Sequence, residues 1–200
     1  MIAGERVHLR PLDADDAGLV MRWRNDPFVR SRLFSDEVLT EERHRSWLER
    51  VQATGGREEF VVVETATGRA VGTVGLSEID RRNRRAEYGI LMGEPEARGR
   101  GLAAEASRLI LRYAFEVLDL NRVSLQLLAD NELAVRLYER LGFKREGILR
   151  QHAWKDGCFH DVLVMGMVRR DQDDPLLQAL RDAGDEAGSL HRRGRDLRCL

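Results

Sequence analysis

The sequence predicts an α/β domain, a mixed sheet with helices packed on both of its faces. Three observations carry that expectation. Segments of strand composition alternate with segments of helical periodicity in the order β-α-α-β-β-β-α-β-α-β-β. The stretch Ala103 to Leu118 keeps Ala106, Leu109, Ile110, Tyr113, Ala114 and Val117 on one helical face, and Glu105, Arg108, Arg112 and Glu116 on the other. With 200 residues, 42% of them hydrophobic and 34% charged, the chain fits one core of about 100–200 residues and excludes wholesale disorder and a membrane-embedded chain.

Each element has its own local reason. Val7 and Leu9 alternate with polar neighbours and stop at Pro11, which reads as a short first strand. In the helix that follows, Asp13 is the N-cap and Asp15 and Asp16 meet the positive end of the dipole; Asn25-Asp26-Pro27 ends it, close to Trp23. A second helix starts near Thr40 and runs through Trp47, Leu48 and Val51 to Gly55-Gly56. Phe60 to Val63 is a β-branched run, Thr67-Gly68 a turn, and Ala70 to Leu76 the return strand of a hairpin. After the polar turn Asp80 to Arg85, Glu87 to Met92 is another strand, with Tyr88, Ile90 and Met92 on one face and Glu87, Gly89 and Leu91 on the other. Beyond the long helix, Val123 to Leu128 is a strand and Asn131 caps a helix carrying Ala134, Leu137, Tyr138 and Leu141, which Gly142 ends. Strands near Phe143 to Leu149 and Phe159 to Met167 complete the sheet. From Arg169 onward acids and arginines interleave without Phe, Trp or Tyr. We therefore expect a domain over 1–168 and a charged extension over 169–200, with a short helix at Leu176, Leu177 and Leu180 and a mobile end.

Lys plus Arg number 33 against 34 Asp plus Glu, a net charge of −1, so no surplus charge calls for nucleic acid or an anionic membrane as partner. Met1 to Val20 lacks a basic region followed by an apolar stretch, and no run of about 18 apolar residues occurs, which leads us to expect a cytoplasmic protein. Cys158 and Cys199 are too few for a disulfide framework and lack zinc spacing, and the five histidines form no i, i+4 pair. No metal is expected.

Chemistry concentrates at Glu96-Ala97-Arg98-Gly99-Arg100-Gly101-Leu102-Ala103, between a strand and the strongest helix. Two glycines let the backbone turn its N–H groups outward, and the helix adds its positive end, making a cradle for an anion. No Lys-Ser or Lys-Thr follows, and the third glycine of a dinucleotide fingerprint is missing, which disfavours a nucleotide triphosphatase. A glycine-rich turn that merely starts a helix is the plainer alternative.

The segment has the form Arg-x-x-Gly-x-Ala, and downstream come Asn131, Ala134, Tyr138, Leu141-Gly142-Phe143 and Glu146-Gly147. Together these resemble the GNAT family of N-acetyltransferases, across roughly Ile2 to Val168 and most densely from Gly72 to Gly166. The resemblance implies the GNAT acyl-CoA N-acyltransferase fold, with a largely antiparallel sheet whose central strands splay, and acetyl-CoA as cosubstrate. It places the pyrophosphate on the main-chain N–H groups of Arg98, Gly99, Arg100, Gly101, Leu102 and Ala103, with the arginine side chains adding charge. The pantetheine arm would follow Leu91, Met92 and Gly93, and Asn131 and Ala134 would face it, although Asn131 also reads as a simple cap. Tyr138 would protonate the departing thiolate; its alternative is a core aromatic beside Leu137 and Leu141. Glu87 would be the base that restores a neutral amine, the alternative being a cross-strand partner of Arg84 or Arg85.

The acceptor falls to the N-terminal half. The run Trp23-Arg24-Asn25-Asp26-Pro27, followed by Val29-Arg30 and Arg32, resembles amino-sugar-nucleotide N-acetyltransferases of pseudaminic acid biosynthesis, and clustered arginines with an aromatic suit a diphosphate and a base. Glu78-Ile79 and Arg85-Ala86-Glu87 are shared with polyamine acetyltransferases, which would want acidic walls such as Asp36, Glu37, Glu41 and Glu42. Ribosomal-protein alanine N-acetyltransferases are a third branch. The substrate set expected is Trp23, Arg24, Asn25, Glu78 and Trp154, and the partner a small-molecule amine. A homodimer through the C-terminal strands is the family's habit. A non-catalytic acyl-CoA-binding module is the alternative of another class.

Overall fold

The computed structural model describes residues 1–54 and 56–171. The expected helix at Leu176, Leu177 and Leu180 lies outside the described residues. Strands β1 (Ile2–Ala3), β2 (Val7–Pro11), β3 (Glu58–Glu64), β4 (Ala70–Asp80), β5 (Arg85–Met92), β6 (Arg122–Leu128), β7 (Lys144–Lys155) and β8 (Cys158–Val168) form one sheet in the order β1-β2-β3-β4-β5-β6-β8-β7. Every neighbouring pair is antiparallel except β5 with β6. This is the GNAT fold, mixed and largely antiparallel.

Helices α4 (Leu102–Arg112) and α5 (Glu132–Leu141) cover one face. Leu102, Ala106, Leu109 and Ile110 of α4 are buried with Leu9, Phe60, Val62, Val74, Leu76 and Tyr88 of the sheet, each large side chain worth about 1.5–3 kcal/mol of transfer from water. On the other face lie α1 (Ala17–Asn25), α2 (Pro27–Arg30) and α3 (Glu41–Thr54). Val61 and Val63, the alternate residues of β3, are buried on that side, as are Val20, Trp23 and Val29.

The parallel pair is short. β5 and β6 share a ladder only at Arg85↔Arg122, Ala86↔Val123 and Glu87↔Ser124. Beyond that point β5 stays with β4 as far as Met92↔Gly72, and β6 stays with β8 as far as Leu128↔Val162. The sheet therefore forks at Glu87, leaving the backbone of Tyr88–Met92 without a strand on its β6 side. The expected splay is present.

Several elements differ from expectation. Asp13 caps a single 3-10 turn, Ala14–Asp16, before α1 begins, and the Asp16 carboxylate takes both Arg10 Nη1 (2.7 Å) and Nη2 (2.6 Å). Asp26 accepts from Val29 N at 3.1 Å and Pro27 supplies a first helical residue, so Asp26-Pro27 not only ends α1 but starts the unexpected α2. The two-residue β1 is also new. β4 runs four residues past Leu76 through a bulge at which Glu78 takes φ 50°. α4 ends at Arg112 and passes into a wider turn, Tyr113–Val117, closed by Leu118 N to Tyr113 O at 3.0 Å. Finally, β7 extends to Lys155; it is an edge strand exposed from Lys144 to His152, so burial leaves no periodic trace there. Arg169–Asp171 are fastened to the domain: Arg169 N donates to Asn121 O at 2.9 Å and Asp171 holds Lys144 Nζ at 2.7 Å.

Candidate active site at the fork of the sheet

The cradle is built from backbone. Gly99 (φ 72°) and Gly101 (φ 78°) are left-handed, a region that favours glycine. Gly101 is the N-cap of α4 with no side-chain capping bond, so the first N–H groups of the helix stay open to an anion. Glu105 locks the helix to β2 by accepting from Arg6 N (2.7 Å) and Val7 N (3.2 Å), and Arg6 Nη2 donates to Arg100 O at 2.5 Å.

The guanidinium groups of the motif arginines are bonded within the protein. Arg98 folds back over the end of β5, donating to Gly93 O (2.8 Å) and Met92 O (3.3 Å), with its guanidinium 4.2 Å from the Phe28 ring centre. Arg100 pairs with Glu64, whose carboxyl is held below the usual range first by the Thr67 hydroxyl and then by Arg100. Leu102 is buried in the core, leaving only its main chain for a ligand. Arg6, Arg32, Arg108, Arg112 and Arg140 line the groove along with Arg98 and Arg100. Sequence reasoning assigned Arg108 and Arg112 to a plain polar face, because periodicity separates the faces of a helix without saying whether the polar one meets bulk water or a cleft.

From the cradle a groove of about 1730 Å3 runs past Leu91 and Met92 of β5 and Asn131, Ala134 and Tyr138 of α5 to Phe34 and Gln126. Asn131 Oδ1 accepts from Ala134 N at 3.3 Å, so it caps α5 and lines the groove at once. Gly93 sits beneath the Trp23 indole, where any side chain would overlap the ring. An extended ligand with an anionic head fits this shape: open N–H groups at one end, free strand backbone along its length, and space where a Gly99 Cβ would stand.

Tyr138 is 8% exposed and lines the groove, held edge-on by Tyr88 and Phe143, each with ring centres 5.9 Å away. Ser107 Oγ donates to Ala103 O at 2.6 Å, so the 2.6 Å contact between Ser107 and Tyr88 is a donation from the Tyr88 hydroxyl. The Tyr138 hydroxyl finds no hydrogen-bond partner among the described residues. Burial pushes the Tyr138 phenol up to about 12, so it holds its proton throughout the neutral range.

Glu87 stands on the opposite face from Tyr88, at the root of the fork. Burial first, and then the charge of Glu78, raise its carboxyl above the usual range, against an opposing pull from Arg57. Ser124, its partner across the parallel ladder, and Gln126 two residues on share that face. A pocket of about 300 Å3 lined by Phe34, Gln126, His152, Ala153 and Trp154 adjoins the groove through Phe34 and Gln126. Among the described residues no group of three or more His, Cys, Asp or Glu is placed to hold a metal, and no helix is long and apolar enough to cross a membrane.

The other expected substrate residues scatter. Trp23 is 2% exposed and donates Nε1 to Glu94 Oε1 at 2.8 Å, which makes it the floor under β5. Asn25 clamps Leu39, donating to its O (2.9 Å) and accepting from its N (2.8 Å). Arg24 is half-buried beside Arg57 and Glu59, and burial lowers its pKa. Glu78 lies exposed on the bulge, and Trp154 lines the small pocket.

Residues 6–144 match the family described as acetyltransferase (GNAT) domain. The spermidine N(1)-acetyltransferase of Escherichia coli K12 is 33% identical over 165 residues, covering 82% of this chain and 87% of the relative. An uncharacterized N-acetyltransferase of Bacillus licheniformis is 28% identical over 170 residues, covering 84% and 95%. Among solved structures, spermidine N-acetyltransferase of Vibrio cholerae in complex with CoA and spermine superposes with a TM-score of 0.77 at 27% identity, covering 83% of this chain and 97% of that one. A backbone cradle leading to a forked sheet and a buried tyrosine thus coincides with a family match over most of the chain: this protein belongs to the GNAT N-acetyltransferases and takes its acetyl group from acetyl-CoA.

Proposed function

We propose that the acceptor is an alkyl polyamine, the alternative to the amino-sugar nucleotide of the sequence reading. The observation that carries this is the state of four of the arginines on which a diphosphate would depend. Arg22 pairs with Glu94, Arg24 is half-buried beside Glu59, Arg32 donates to Phe28 O (2.7 Å) and lies 3.6 Å over the Phe28 ring, and Arg98 is folded onto β5. Phe34 and Trp154 line the small pocket, and in this reading Glu87, with the charge of Glu78 acting on it, supplies the negative charge beside them, a combination that attracts ammonium groups. The similarity to proteins named as spermidine acetyltransferases supports the same reading.

In this reading the main chain of Arg98–Ala103 holds the pyrophosphate and the free edge of β5 holds the arm, so the thioester lies between Tyr138 on one face and Glu87 on the other. Glu87 takes the proton of the incoming ammonium, directly or through water, because only the neutral amine attacks. A phenol near 12 facing a thiol of about 8.5 does not surrender its proton outright; Tyr138 donates a hydrogen bond that stabilises charge developing on sulfur. The test is thiol release with spermidine, an amino-sugar nucleotide and a peptide with N-terminal alanine. We expect kcat/KM for spermidine to lead by about tenfold or more; a lead for either rival would refute the assignment, and release with none of them would favour the non-catalytic module.

Because the Glu87 carboxyl is raised, the base is lost as pH falls through a value above the ordinary glutamate one, and kcat/KM should rise with pH across that limb. Glu87→Gln should abolish the limb and lower the neutral-pH rate by about 10–100-fold. Removing the neighbouring charge with Glu78→Gln should move the limb to lower pH; a limb that stays where it was would show that another group is titrating.

A further inference from the structure

We infer that Lys155 is a positioning residue for the acceptor: its ammonium stitches the segment after α2 to the β7–β8 hairpin and so holds Phe34 opposite Trp154. This rests on the acceptor pocket proposed above. Lys155 is 3% exposed, a degree of burial lysine rarely reaches without partners. Its Nζ donates to Arg30 O at 2.7 Å and Leu33 O at 3.1 Å, with Asp156 Oδ2 at 3.9 Å. Arg30 ends α2; its carbonyl accepts from Leu33 N at 3.2 Å, and the ammonium takes its second lone pair together with the carbonyl of Leu33 just beyond the helix. One residue on, Asp156 N donates to Asp36 Oδ2 at 3.4 Å. Phe34 lies between the two fastenings and Trp154 is adjacent to Lys155, and both line the same pocket. Phe34 is 43% and Trp154 60% exposed, so packing does little to fix the gap between them. The stitch sets it.

Lys155→Met keeps the length of the side chain and removes the donors. We expect the KM for the amine to rise about tenfold while the KM for acetyl-CoA stays within about twofold. Amide exchange at Arg32 and Leu33, whose N–H groups bond Val29 O and Arg30 O, should quicken by about tenfold with or without amine, and Lys155→Arg should restore most of both. The effects of Lys155→Met and Phe34→Ala on the amine KM should overlap rather than add, since one acts through the other. An unchanged amine KM, a parallel rise in both KM values, or unaltered exchange would each overturn the inference. If Lys155→Met does not fold, Phe34→Ala alone must raise the amine KM, and an unchanged value there overturns it equally. Absence of thiol release by the wild-type enzyme would instead mark failure of the acceptor reading, and the exchange measurement would still judge the stitch.

Discussion

Tyr138→Phe should lower kcat by about 10²-fold, the loss of one charge-assisted hydrogen bond, and leave acetyl-CoA affinity nearly unchanged. The substitution removes one oxygen from a ring packed between Tyr88 and Phe143, so the aromatic cluster and the groove keep their shape. Tyr88 does not stand in for the missing phenol, because its own proton is committed to Ser107. The deficit should be the same from neutral to mildly alkaline pH, since a phenol at about 12 does not titrate there. Steady-state kinetics alongside equilibrium binding of acetyl-CoA decides the point: unchanged kcat, or a loss confined to binding, would remove Tyr138 from the chemistry and leave it a core aromatic.

Gly101→Val should act on the other half of the cycle, weakening acetyl-CoA binding by about 10²-fold or more. Two causes combine. A β-branched residue at φ 78° is strained by about 1–3 kcal/mol, and its Cβ would come to 3.2 Å from Arg6 Nη1 at the mouth of the cradle. Gly68→Val is the control. Gly68 also sits at positive φ, 66°, but in the β3–β4 turn, where the space around it is open. It should lose stability without losing affinity. Equal losses of binding in the two variants would show that backbone strain, and not the cradle, is being read.

Local signals were legible wherever one residue type is needed by one backbone geometry. Asn131 and Gly142 bound α5 as expected, the latter at φ 99°, and the paired glycines open α4. Asp156-Gly157, with φ 49° and 80°, is a two-residue hairpin turn of the type that favours this dipeptide; weighing it would have placed the ends of β7 and β8. The fork was legible only through family resemblance, because separation of β5 from β6 depends on which partner each strand keeps, and hydrophobic alternation is the same in either case. Trp23 shows the opposite failure. An aromatic among arginines suggested a recognition surface, whereas the missing side chain of Gly93 gives the indole a place inside. The contacts of Lys155 left no signal, since its partners are carbonyls more than a hundred residues away in sequence.

The account stands on main-chain capture of the donor at the fork, and calorimetric titration of the purified wild-type protein with acetyl-CoA reads that directly. One binding event per chain is expected, with a Kd in the range of about 1–100 μM, weakened by about 10²-fold or more in Gly101→Val and retained in Tyr138→Phe. Failure of both acetyl-CoA and free CoA to associate at about 1 mM would contradict it.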